Sequence, residues 1–195
     1  MKRVCVFCGS GAGVRGEYAA AARGLAAAMA RRGLGLVYGG GNVGLMGVLA
    51  DAMLEAGGEV IGVIPRSLVA REVAHEGLAQ LRVVDTMHQR KALMSELADA
   101  FVALPGGFGT LEEFFEILTW QQLGIQAKPG GLLNVSRYYD ALLAMLDHAV
   151  REGFVRPAHR ALVIAGTDAD ALLAHLDAIC ALPAAAGTGT VRNFL

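Results

Sequence analysis

The stretch Leu104-Pro105-Gly106-Gly107-Phe108-Gly109-Thr110-Leu111-Glu112-Glu113 decides the reading of this chain. Before it lies a short apolar run, Ala100 to Leu104, with the character of a buried strand. After it, Leu111, Phe114, Phe115 and Leu118 fall on one face at helical spacing. A glycine-rich turn therefore joins the end of a strand to the start of a helix. In open α/β sheets ligands bind at that place. The first-turn N–H groups of a helix have no intrahelical partner, and its dipole favours negative charge. Glycines let a phosphate come close to the backbone, and Thr110 adds a hydroxyl. Glu112, Glu113 and Glu116 follow at once. Either they complement the helix dipole, or the ligand carries a phosphate and, a few ångströms away, a group that needs a carboxylate.

Working outward, the chain alternates strands with helices. Strands are expected at Arg3 to Phe7, Leu34 to Tyr38, Val60 to Ile64, Leu81 to Val84, Ala100 to Leu104 and Gly131 to Val135, with a short last one at Leu162 to Ile164. Helices are expected at Glu17 to Arg32, Leu45 to Ala56, Met87 to Leu97, Gly109 to Leu123, Tyr138 to Arg151 and Asp168 to Ala181. Ser67 to Gln80 is irregular and carries Arg71, Glu72, His75 and Glu76. The strands are nearly continuous apolar runs, as in a mostly parallel sheet covered on both faces. The expected fold is a doubly wound α/β sheet forming one domain over residues 1–182. The stretch 183–195, rich in Ala, Gly and Thr, is expected to be loose.

Composition narrows the function. The chain has 195 residues, 54% of them hydrophobic, and a net charge of -1, so it offers no basic surplus for nucleic acid or an anionic membrane. Met1 runs directly into an apolar strand without a signal-peptide pattern. The longest uncharged run, Gly33 to Ala50, holds seven glycines and is a poor membrane helix. Three cysteines are too few for a disulfide scaffold, which suits a cytoplasmic location. Cys5 and Cys8 form a C-x-x-C, but in or at the end of a strand, and no second pair follows. The five histidines include no close pair at metal-ligand spacing, so no metal is expected.

Gly11 to Gly16 and Gly39 to Gly44 both match G-x-G-x-x-G between a strand and a helix. A dinucleotide site also needs an acidic residue ending the next strand. The following strands end at Tyr38-Gly39 and Ile64-Pro65 and supply none. Three glycine turns, after strands one, two and five, would instead converge on one crevice if those strands are neighbours. Ser10 is then either a loop hydroxyl near the ligand or a plain turn residue. Met87-His88-Gln89-Arg90-Lys91 opens a helix at the same edge. Cations there oppose the dipole, so Arg90 and Lys91 either meet a ligand or carboxylate or form a solvated helix start.

Pro105 to Glu113 resembles the P-G-G-x-G-T-x-x-E motif of the LONELY GUY (LOG) family, and Arg90-Lys91 stands where that family carries R-K. Gly39 to Gly47 is similar to the family's other glycine turn, and the likeness runs from about Val4 to beyond Leu123. LOG proteins are cytokinin riboside 5'-monophosphate phosphoribohydrolases. They cut the N-glycosidic bond to give an adenine-type base and ribose 5-phosphate, many also accept AMP, and they commonly dimerise on a Rossmann-like fold. The resemblance implies Arg90 and Glu113 as the catalytic pair. It implies substrate contacts from Glu72, Lys91 and Thr119 and from the turn Gly106, Gly107, Phe108, Gly109, Thr110 and Glu112, with no cofactor. Val73 to Gln80 lies outside the matching motifs and is expected to shape the base pocket. A dimer also fits the apolar Phe114, Phe115, Leu118 and Trp120, although all four could belong to the core. The family's label "lysine decarboxylase" does not suit this chain, since pyridoxal phosphate needs a Schiff-base lysine and only Lys2, Lys91 and Lys128 exist. A nucleotide-binding or carrier protein without turnover remains the alternative.

Overall fold

A computed structural model describes residues 1–69 and 74–182. Seven parallel strands form one sheet in the order β4-β3-β2-β1-β5-β6-β7. They are β1 (Arg3–Phe7), β2 (Gly35–Tyr38), β3 (Val60–Pro65), β4 (Gln80–Val84), β5 (Ala100–Ala103), β6 (Gly130–Leu133) and β7 (Val163–Gly166). The helices are α1 (Gly16–Arg31), α2 (Gly44–Glu55), α3 (Met87–Leu97), α4 (Phe108–Gln122), α5 (Asp140–Arg151), α6 (Pro157–Arg160) and α7 (Ala169–Cys180).

The alternation of side chains along β1 explains the two layers. Val4 and Val6 enter a core with Leu25 and Met29 of α1, Leu45 and Leu49 of α2 and Leu172 of α7. Cys5 and Phe7 enter the opposite core with Met94 of α3 and Phe114, Ile117 and Leu118 of α4. A strand buried on both sides needs apolar residues at every position, and Val4 to Phe7 supplies them.

From β1 the chain steps outward to β4, then returns to lay β5 on the other side of β1. The switch point is thus between β1 and β5, paired from Val4↔Ala100 to Phe7↔Ala103. With β2 on β1's other flank, the strands followed by glycine turns are three neighbours. The expected fold class is what forms, with every strand of the sheet parallel.

Differences are local. The helix expected from Tyr138 starts at Asp140, because Ser136 and Arg137 take left-handed φ of 48° and 64° and break the approach. The four-residue α6 has no sequence expectation behind it, being too short for periodicity. The expected loose tail, 183–195, lies outside the described residues, as does Glu72.

Candidate active site

The three glycine turns meet in backbone contact. Gly9 N–H, after β1, donates to Pro105 O at 3.1 Å, and Leu45 N–H, at the start of α2, donates to Gly9 O at 3.0 Å. A Cβ on Gly106 would stand 2.8 Å from Gly9 N, so only glycine lets the two turns touch.

Beside them opens a cavity of about 260 Å³. Its lining includes Gly9, Ser10, Gly39, Arg90, Thr110 and Glu113. The N-terminus of α4 faces it through Gly107, Phe108 and Gly109. The N-cap, Gly107, offers no side chain to the first-turn N–H groups, so they are available to an anion.

Arg90 is buried although it is charged. Its Nη2 lies 3.4 Å from Gly39 O and 3.9 Å from Glu113 Oε1, and Nη1 lies 3.8 Å from Met87 Sδ. Its Nε has no hydrogen-bond partner among the described residues. Gly39 makes this placement possible, because a Cβ there would collide with the guanidinium. Glu113's side chain is 11% exposed and that of Glu112 is 54% exposed, so α4 turns one carboxylate into the cavity and the other toward its rim.

Lys91 spans from α3 to α4. Its Nζ reaches Glu112 at 2.6 Å and Glu116 at 3.0 Å. Burial works against its charge, but the two carboxylates outweigh that and hold its pKa above the usual lysine value. Thr119 is exposed two turns further along α4, and its hydroxyl donates to Phe115 O at 2.7 Å. Neither Lys91 nor Thr119 lines the cavity. Gly106 lies behind the turn, while Gly107 through Thr110 face the opening. His88 is exposed. Ser10 lines the cavity. From the stretch expected to shape the base pocket, His75 ties back to the second glycine turn, its N–H donating to Gly40 O at 3.0 Å and its Nε2 lying 3.0 Å from Asp51.

Cys5 and Cys8 are buried. Burial pushes the Cys5 and Cys8 thiols well above their ordinary range. Among the described residues no cluster could hold a metal ion. None of the three lysines lines the cavity, since Lys128 donates to Ser95 O at 2.6 Å and Lys2 sits at the opposite edge of the sheet.

Sequence reasoning missed Met87 and Leu68, which line the cavity, and the tyrosines Tyr138 and Tyr139, whose hydroxyls bond to Gly106 O and Leu104 O. Met87 sits beside Arg90 in sequence and was within reach. The tyrosine contacts span more than thirty residues and leave no periodic signal.

Fold and site together define a doubly wound α/β protein with an uncapped helix N-terminus and a carboxylate–guanidinium pair in one cavity. Residues 46–176 match the family described as "Possible lysine decarboxylase". The chain is 55% identical over 174 residues to a cytokinin riboside 5'-monophosphate phosphoribohydrolase of Rhodococcoides fascians, covering 89% of this chain and 88% of that one. It is 49% identical over 176 residues to LOG1 of Arabidopsis thaliana, a protein of the same name, covering 90% and 83%. Among solved structures it is similar to a molybdenum cofactor binding protein from Rippkaea orientalis, with TM-score 0.68, 22% identity and coverage of 92% and 98%. That likeness is one of fold. The chain belongs to the LOG family.

Proposed function

We propose that this protein hydrolyses the N-glycosidic bond of cytokinin riboside 5'-monophosphates, and of AMP, to a free base and ribose 5-phosphate. The observation that carries the reading is the buried Arg90 guanidinium beside Glu113, in a cavity that also holds the open N-terminus of α4. The relatives that share half of this sequence carry the name of that activity.

The 5'-phosphate lies against the N–H groups of the turn from Gly107 to Thr110, with the Thr110 hydroxyl beside it. Glu113 then stands near the ribose. Glycosidic cleavage passes through an oxocarbenium-like state with positive charge on the sugar ring. A carboxylate there stabilises the transition state more than the ground state, and it can take a proton from the attacking water. Arg90 is too weak an acid to protonate the leaving base, so it orients Glu113 and the substrate. Lys91 occupies Glu112 and Glu116 on the outer side of α4. Glu72 and Thr119 enter as substrate contacts through the family resemblance alone.

The reading extends to a cytoplasmic homodimer. Among the described residues no helix is long and apolar enough to cross a membrane. Phe114, Phe115, Leu118 and Trp120 pack in or against the core, which leaves Phe108, 94% exposed at the mouth of the cavity, and Leu123 and Ile125, exposed at the opposite end of α4, as apolar groups that a second copy would cover. Light scattering should give twice the chain mass; a mass near 20.3 kDa at micromolar concentration refutes the dimer.

The test of function is incubation with isopentenyladenosine monophosphate, AMP and the two matching nucleosides, with free base measured by chromatography. Release from the monophosphates and not the nucleosides is expected. Equal turnover of adenosine and AMP would sink the phosphate assignment. Binding of the monophosphates without release of base would favour a carrier.

A further inference from the structure

We propose that Tyr138 and Tyr139 are positioning residues that hold the phosphate-binding turn in its receptive conformation. The inference rests on the reading that the N-terminus of α4 takes the 5'-phosphate. Four successive carbonyls of the turn each have a donor. Tyr139 Oη–H donates to Leu104 O at 2.6 Å, Gly9 N–H to Pro105 O at 3.1 Å, Tyr138 Oη–H to Gly106 O at 2.6 Å and Leu111 N–H to Gly107 O at 3.1 Å.

The third bond matters most. In a trans peptide the C=O and the following N–H point in opposite directions. Holding Gly106 O therefore aims the Gly107 N–H the other way. Tyr138 and Gly106 line a neighbouring hollow beside the Gly9–Gly13 loop and not the cavity, whereas Gly107, between the two, lines both. Gly106-Gly107 is also the dipeptide with the least intrinsic resistance to a peptide flip, having no Cβ on either side. A flip would present a carbonyl to the phosphate. The Tyr138 hydroxyl opposes it.

Burial does not force this bond. Tyr139 is fully buried and its hydroxyl needs some partner. Tyr138 is 41% exposed and could turn its hydroxyl to water, yet it bonds the turn. The connection that delivers it is over-determined. Ser136 and Arg137 hold left-handed φ without being glycine, a conformation that persists only where its surroundings impose it. Here Asn134 Oδ1 accepts from Tyr139 N–H at 2.7 Å, and Asn134 and Arg137 both donate to Asp140, at 2.8 Å and 2.6 Å. Tyr138 then meets Tyr18 and Tyr139 edge-on, with ring centroids 5.8 Å and 5.0 Å away.

The test is Tyr138→Phe, which removes one oxygen from an exposed ring. Calorimetry with inorganic phosphate, ribose 5-phosphate and adenine is paired with steady-state hydrolysis of AMP. Loss of one hydrogen bond predicts phosphate and ribose 5-phosphate binding weaker on the order of five-fold, with KM for AMP raised to match. Adenine affinity and Tm should stay as they are, and kcat should change little, because the phosphate is held alike in ground and transition states. Tyr139→Phe gives the contrast, since loss of a buried donor should lower Tm as well. Unchanged phosphate affinity in Tyr138→Phe, or equal loss for phosphate and adenine, overturns the inference. If the unaltered protein binds neither phosphate nor ribose 5-phosphate, the phosphate-site reading itself falls, and the inference with it.

Discussion

Glu112 and Glu113 sit about 100° apart around α4. That rotation places Glu112 against Lys91 at 2.6 Å and turns Glu113 toward Arg90, 3.9 Å away. Glu113 is the more buried of the two, 11% against 54% exposed, so its charge acts on the cavity through less solvent. Glu113→Gln keeps size and hydrogen-bonding capacity but deletes the negative charge. The expected outcome is a fall in kcat on the order of 10²–10³ with ground-state affinity for AMP little changed. Adenine release and AMP calorimetry measure the two quantities. Glu116→Gln is the control. Glu116 pairs with Lys91 and does not line the cavity, so its kcat should stay near that of the unaltered protein. Near wild-type kcat in Glu113→Gln would move the assignment to Glu112.

α3 carries Arg90 in its first turn, so its N-terminus must be held firmly. Thr86 does this through a capping box. Its Oγ1 accepts from Gln89 N–H at 3.1 Å, and Gln89 Oε1 accepts from the N–H groups of Thr86 and Asp85 at 3.3 Å and 2.9 Å. Thr86→Ala should cost about 1 kcal/mol, read as a shift of the urea midpoint, with a smaller loss of kcat than any change at Arg90. Stability unchanged within error would mean that the box does not hold the helix. α3 forms over Met87–Leu97 as expected, although the T-x-x-Q spacing of its capping box was no part of that expectation. β1 also forms at its expected bounds, since its short apolar run is stopped by the glycine-containing loop that starts at Cys8. Elements with weaker local signals shift. β7 runs through Ala165 and Gly166, residues with little strand preference, and begins one residue later than expected. For the site, the glycine turns and the family motifs were enough to bring Arg90, Thr110 and Glu113 forward as candidates. Partners were not legible. Lys91 meets Glu112 and Glu116 across more than twenty residues, and the Tyr138 hydroxyl meets Gly106 O across more than thirty, distances that only the sheet order brings together.

Across the whole molecule the two edges of the sheet have different work. The C-terminal edge holds the glycine turns, helix N-termini without a side-chain cap and a buried guanidinium, all of which cost stability. The N-terminal edge is stitched. Asp99, just before β5, accepts from the backbone N–H groups of Lys2 and Arg3 through one oxygen, at 2.5 Å and 2.9 Å, and so aligns β5 with β1. Arg3 also pairs with Glu59, just before β3, at 2.8 Å. Partial burial alone would raise the Asp99 pKa, but the two N–H donors outweigh it and hold it below the usual carboxylate range. A depressed folded-state pKa means that the ionised form stabilises the fold. Its contribution is complete above the unfolded value, about 3.9, and is lost as pH falls through the lower folded value. Asp99→Asn should therefore lower stability by on the order of 1 kcal/mol at pH 7, a charge-assisted bond discounted for partial exposure. The variant should approach the unaltered protein as pH drops below about 3.9. Since Asp99 lies at the edge away from the cavity, kcat on AMP at pH 7 and a temperature well below Tm should be unaffected. Urea melts of both proteins across the acid range, with kcat measured on the same samples, test the division. A stability difference that persists unchanged below the carboxylate range, or a large drop in kcat without unfolding, would show that Asp99 acts otherwise than through its charge at the stitched edge.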